Sequence, residues 1–199
     1  MTLQLERTTG VKRHLVSLEE YERMCEAGVF EPDANLELIR GEIIEMTPPG
    51  PPHAASVARL TKIFVRVVGD NALVWPQGNP IGLPQSKSMP QPDIALLQPR
   101  GDYYVSKRPF PEDVILLIEV SESTLKFDRG DKLKLYAEAG IPEYWIVNLV
   151  ENVVEVYIDP GEGTYRTVMI GKRGETLQLP GELEGSIAVD DVLGKIEEV

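Results

Sequence analysis

The stretch that most restricts this chain is Val114-Ile-Leu-Leu-Ile-Glu-Val120: five apolar residues in a row, an acid, then another apolar residue. It is too continuous for a strand with one wet face and suits a central strand covered on both sides. It falls far short of the ~18 apolar residues of a membrane span, and no other stretch approaches that length. A carboxylate near the end of a buried strand is costly unless it is paired or bound to a cation. Glu119 therefore marks the point where fold and chemistry meet.

The flanking segments supply the rest of a mixed sheet. Ser17-Leu-Glu-Glu20 has the form of a capping box, and Leu18, Tyr21, Met24 and Cys25 recur at helical spacing until Gly28. Cys25 reads as a small residue packed on that helix. Leu36–Ile39 and Glu42–Met46 flank Arg40-Gly41 as a tight hairpin. The proline loop Thr47–Pro52 leads into a helix over His53–Val68, and Asp128–Ala139 forms another, stopped by Gly140 and Pro142. Strands are expected over 72–75, 80–83, 93–97, 114–120, 143–149, 153–158, 164–170, 176–179 and 187–189. The fold class is α/β (α+β), a mixed sheet flanked by helices. The 199 residues fit a single domain, 1–199, with a core of its own.

Charge bears on partners. A net charge of −12 opposes a broad basic surface for nucleic acid. Around residues 100–134 bases match acids, which allows a local basic rim there. One cysteine excludes an internal disulfide and suits a reducing compartment. With no signal-like apolar run at the start, the expected location is cytoplasmic.

Asp93 opens an apolar strand after Gln91-Pro92. Two acids on neighbouring strands would make an oxygen site for Mg²⁺ or Mn²⁺. The spacing equally allows Asp93 to bond turn amides and Glu119 to pair with Lys132 or Arg129. Zn²⁺ is disfavoured, since there are two histidines, His14 and His53, and a single cysteine.

Several ordered segments resemble one family. They are Leu36-Glu-Leu-Ile-Arg-Gly-Glu-Ile43, Thr47-Pro-Pro-Gly-Pro-Pro-His53, Gln91-Pro-Asp-Ile94 and Leu117-Ile-Glu-Val-Ser-Glu-Ser-Thr124, followed by Asp128 and the run Lys132-Leu-Lys-Leu-Tyr-Ala-Glu-Ala-Gly-Ile-Pro-Glu-Tyr-Trp-Ile-Val147. Together they resemble the Uma-two family of endonucleases in the restriction-endonuclease-like, PD-(D/E)XK superfamily. The resemblance implies that fold and a metal-dependent endonuclease hydrolysing phosphodiester bonds of nucleic acid, DNA favoured. It implies Asp93 and Glu119 as the acids that hold Mg²⁺ (or Mn²⁺), with Glu37 as a further ligand and His53 as a polar site residue. Superfamily members carry a lysine two residues after the second acid, but position 121 is Ser121. The basic residue implied instead is Lys132, on the next helix, with Lys134 as its competitor.

Residues two apart on a helix lie about 200° round, so only one of these lysines can face the acids. Lys132 stands one turn after the segment that follows Glu119 and is expected to be that one, removable with little loss of stability. Asp128 could merely bridge Lys132 at i,i+4. Gln77 could reach the site from a strand end, and Tyr144-Trp145 is expected in the core. By analogy with restriction-like nucleases, a homodimer is expected. The acidic charge keeps open a non-catalytic nucleic-acid or protein interaction module on the same fold. A hydrolase of a smaller phosphate compound finds no glycine-rich phosphate loop in support.

Overall fold

The computed structural model describes residues 12–194. Helix α1 (Leu18–Glu26) begins at the capping box: the Ser17 hydroxyl accepts from the Glu20 N–H, and the Glu20 carboxylate accepts from the Ser17 N–H. Strands β1 (Leu36–Ile39) and β2 (Glu42–Glu45) pair antiparallel around Arg40 and Gly41. Both turn residues have positive φ, 53° and 78°, which a two-residue hairpin turn of this hand requires. Helix α2 (Pro51–Val68) starts two residues before the expected position. Proline is favoured in a first turn, where its missing N–H has no helical partner to lose.

The main sheet has the order β3 (Leu73–Pro76), β4 (Ile94–Leu97), β5 (Val114–Ser121), β6 (Glu143–Asn148), β7 (Val153–Gly161), β8 (Thr164–Gly171). Only β5 and β6 run parallel; every other neighbouring pair is antiparallel. A parallel pair needs a crossover. Here it consists of α3 (Leu125–Phe127), a π-helical turn over Asp128–Lys132 and α4 (Leu133–Glu138). The short strands β9 (Thr176–Gln178) and β10 (Ser186–Ala188) pair with each other, and α5 (Val189–Leu193) follows. Segment 80–83, expected as a strand, forms no ladder. The Ile81 N–H bonds Pro90 O, the Gly82 N–H bonds Pro109 O, and Leu83 exchanges two backbone bonds with Ser88 in an isolated bridge, as suits a stretch that holds Gly82 and runs into Pro84.

All eight residues of β5 are buried, as its composition requires. From Leu116 onward its side chains alternate between two cores. Leu116, Ile118 and Val120 join Leu60, Phe64 and Val68 of α2, together with Trp145 and Val192. Leu117 points the other way, toward Leu135, Tyr136 and Tyr144. Phe64 and Trp145 meet with ring centroids 6.0 Å apart, and full burial of side chains this large stabilises by roughly 1.5–3 kcal/mol each. Period-two alternation puts Glu119 on the Leu117 face, under the crossover helix.

Candidate active site

Ile94 of β4 pairs with Ile118 of β5, so Asp93 lies one step further along, opposite Glu119 and on the same face. Strand pairing thus brings together two acids 26 positions apart in sequence. The third acid comes from the hairpin: Glu37 on β1 is 3 % exposed.

The crossover presents a stripe of polar residues four apart, Asp128, Lys132 and Tyr136, to this face. The Lys132 ammonium donates to Glu119 Oε1 at 2.9 Å and Glu37 Oε1 at 3.1 Å. The Tyr136 hydroxyl also donates to Glu119 Oε1, at 2.8 Å. Asp128 Oδ2 accepts from the Ser121 hydroxyl at 2.7 Å and the Thr124 hydroxyl at 2.6 Å. Residues 121 and 119 of the strand therefore meet 128, then 132 and 136, of the helix, in opposite chain directions. The π turn lies within this seam: the Leu133 N–H reaches back to Asp128 O, which also accepts from the Tyr144 hydroxyl. Arg129, beside it, forks onto Glu155 and Glu151 and ties the turn to the β7 side of the sheet.

Asp93 is the most heavily bonded of the acids. Its Oδ2 accepts from the Val120 N–H at 2.7 Å, and its Oδ1 accepts from Gln77 Nε2 at 2.7 Å and meets His53 Nε2 at 3.0 Å. With Asp93 ionised, that imidazole nitrogen is the donor. Glu37 Oε2, by contrast, is buried with no hydrogen-bond partner.

One ammonium faces four carboxylates, and the electrostatics follow from that ratio. Burial, with Asp128 and Glu37 nearby, pushes the Asp93 carboxyl up to about 7, against the lowering pull of the Val120 N–H and Lys132. Burial also lifts Glu119 well above the usual carboxylate range; Lys132 opposes this and Asp93, Asp128 and Glu37 reinforce it. For Lys132 burial acts downward, but Glu119, Glu37 and Asp128 more than reverse it and the ammonium persists. Burial lowers His53 and keeps its imidazole neutral near pH 7, although Glu122 and Asp128 pull the other way.

Glu37, His53, Asp93, Glu119 and Lys132 all line one cavity of about 430 Å³. Gln77 and Asp128 line it too. Lys134 stands outside, its side chain 62 % exposed and 4.0 Å from Glu138. His14 is likewise remote and exposed. Cys25 is exposed and not packed as its helical spacing suggested. Lys132 is only 2 % exposed, which reverses the expectation that it could be removed with little loss of stability: without it Glu37 and Glu119 would face each other with no cation between them. Asp128 is held by hydroxyls and not by an i,i+4 bridge to Lys132. The sequence alone did not single out the Tyr136 hydroxyl; its spacing of four from Lys132 was the available signal.

The donors fit a hard divalent cation. They are carboxylate oxygens, and one of them is buried without a partner. Among the described residues, no three His, Cys, Asp or Glu side chains already converge in metal-ligand geometry. Glu37 and Glu119 converge on the Lys132 ammonium instead.

No curated protein matches this chain. A solved structure from Anabaena variabilis ATCC 29413, described as "a putative nuclease belonging to DUF820", shares its fold with a TM-score of 0.66 at 18 % identity, over 89 % of this chain and 97 % of that one. No helix among the described residues is long and apolar enough to cross a membrane. The sequence profile of Uma2, described as "Putative restriction endonuclease", matches residues 18–190, and with the profile spanning the hairpin, both acid-bearing strands and the crossover helix, the chain belongs to the Uma2 family.

Proposed function

We propose that this protein is a metal-dependent endonuclease that hydrolyses phosphodiester bonds of nucleic acid, with DNA as the favoured substrate. The observation that carries the reading is the convergence of Asp93, Glu119, Glu37, His53 and Lys132, drawn from distant segments, at the base of one cavity. A purely structural ion pair would not need three further acids around one lysine, one of them with a bare oxygen.

Asp93, Glu119 and Glu37 would hold Mg²⁺ or Mn²⁺. Such an ion, when bound, acidifies water and offsets the charge that builds up on phosphate. The remaining work falls to the chain. Lys132, kept charged by its acidic neighbours, donates hydrogen bonds to an attacking water or a phosphate oxygen. Tyr136 fixes one oxygen of Glu119 and leaves the other for the cavity. Gln77, His53 and the Val120 N–H orient Asp93. His53, neutral near pH 7, has its second ring nitrogen available to accept or pass a proton.

The test is cleavage of circular DNA, single- and double-stranded, with Mg²⁺ or Mn²⁺ and with chelator. Metal-dependent cleavage is expected, reduced by about a hundredfold or more in Glu119→Gln and retained in Lys134→Ala. Cleavage undiminished in Glu119→Gln would sink the assignment. The net charge of −12 favours a second reading, a binding module without catalysis. Binding of nucleic acid or protein with no cleavage under any metal would select it.

A further inference from the structure

We infer that the cavity is built to take an unpaired DNA strand, one phosphodiester at a time, and not a duplex. This rests on the nuclease reading and narrows it.

Depth is the first reason. Glu119, Glu37, Asp93 and Lys132 are between 2 % and 5 % exposed. A phosphate must descend between walls to reach them. Residues 46–50 form part of one wall and 122–124 part of another. The two approach closely: a Cβ placed on Gly50 would lie 3.8 Å from Glu122 Oε2. The cavity of about 430 Å³ lies in the lower half of the ~300–1,000 Å³ range of small-ligand pockets, the scale of a nucleotide unit and not of a double helix.

Charge is the second reason. Lys132 is the only lysine or arginine lining the cavity among the described residues, and it sits at the base. Asp33 and Glu122, toward the mouth, are exposed acids. Duplex DNA is stiff over ~150 base pairs and carries one negative charge per ~1.7 Å of axis. Pressing one of its phosphates inward would set its neighbours against Asp33 and Glu122, and among the described residues no lysine or arginine but the buried Lys132 lines the cavity to offset them. A single strand can bend at one phosphodiester and turn its neighbours away to solvent. A further positive feature at the mouth is the start of α2, an 18-residue helix capped by Gly50 with no side-chain hydrogen bond. A helix end can favour a single phosphate and does not make a surface for a duplex. One strand needs one site, so the pair of sites expected of a homodimer is not required for this substrate.

The experiment compares a single-stranded DNA circle with the relaxed, closed duplex circle of the same sequence, using the wild-type protein and Mn²⁺. The single strand is expected to be cut faster by about tenfold or more, and the Asp33→Lys/Glu122→Lys double variant to narrow that ratio by removing the rim repulsion. Duplex cleavage as fast as single-strand cleavage in the wild type overturns the inference and leaves the nuclease reading intact. Cleavage of neither circle overturns both.

Discussion

At the scale of single residues, the site is a cluster with too much negative charge for the cations it contains. Asp93 shows the consequence. Its folded pKa, raised to about 7 by burial and acidic neighbours, lies above the ~3.9 of an unfolded chain. The native state therefore holds a proton that the unfolded state has lost, and stability falls as pH rises from about 4 to about 7. Asn at this position cannot ionise. Across that window Asp93→Asn should gain on the wild type by on the order of 2–4 kcal/mol, with most of the gain present by pH 8. Urea unfolding at pH 4.5 and pH 8 measures it, and an equal difference at both pH values would contradict the account. The neighbouring lysine follows the same sign in a higher window: its folded pKa is raised too, so its ammonium contribution is intact throughout this range and is lost only in strong alkali.

At the scale of elements, the crossover from β5 to β6 does the positioning. Asp128 anchors its start to Ser121 and Thr124, and Arg129 anchors its flank to Glu155. Between these anchors and α4 lies the π turn, a geometry that tends to occur at functional sites. Gly130 within it is exposed, has ordinary negative-φ backbone and has nothing within 4 Å of where a Cβ would stand. Alanine should fit there without strain and reduce the entropy of the unfolded chain. Gly130→Ala is expected to add ~0.4–1 kcal/mol to stability with cleavage unchanged. A loss of stability in urea unfolding would mean that the turn needs a glycine for a reason other than space.

At the scale of the whole molecule, site and stability are linked because the acids come from β1, the start of β4 and β5, and the lysine from the crossover. They assemble only when the chain is folded, so a cation bound by them binds the native state alone. Mn²⁺ at ~100-fold excess over its Kd should then stabilise by about 2.7 kcal/mol, which in a chain of this size raises Tm by roughly 5–11 °C. Thermal unfolding with and without Mn²⁺ checks this. The shift should shrink or vanish in Asp93→Asn, and an equal shift in the variant would place the ion elsewhere.

The central strand, its burial on both faces, the capped first helix, the hairpin and the long second helix were legible in the chain because each is a local matter. Apolar periodicity, a Ser-x-x-Glu cap and an Arg-Gly turn act through neighbours in sequence. Glu119 was conspicuous for the same reason, as an acid inside an apolar run. Which of Lys132 and Lys134 turns inward was half decided by helical geometry, since only one of them could. What no local pattern contained was the company these residues keep. That Asp93 stands opposite Glu119 follows from the register of β4 on β5. That Glu37 reaches Lys132 follows from where the hairpin packs, and that Tyr136 bonds Glu119 follows from how the helix lies on the sheet. Segment 80–83 failed as a strand because strand character is completed by a ladder, and there the pairing stops at a single bridge between Leu83 and Ser88. The pKa of Asp93, the bare oxygen of Glu37 and the depth of the cavity are likewise sums over groups far apart in sequence. They exist only once the tertiary structure has brought those charges together and removed the water between them.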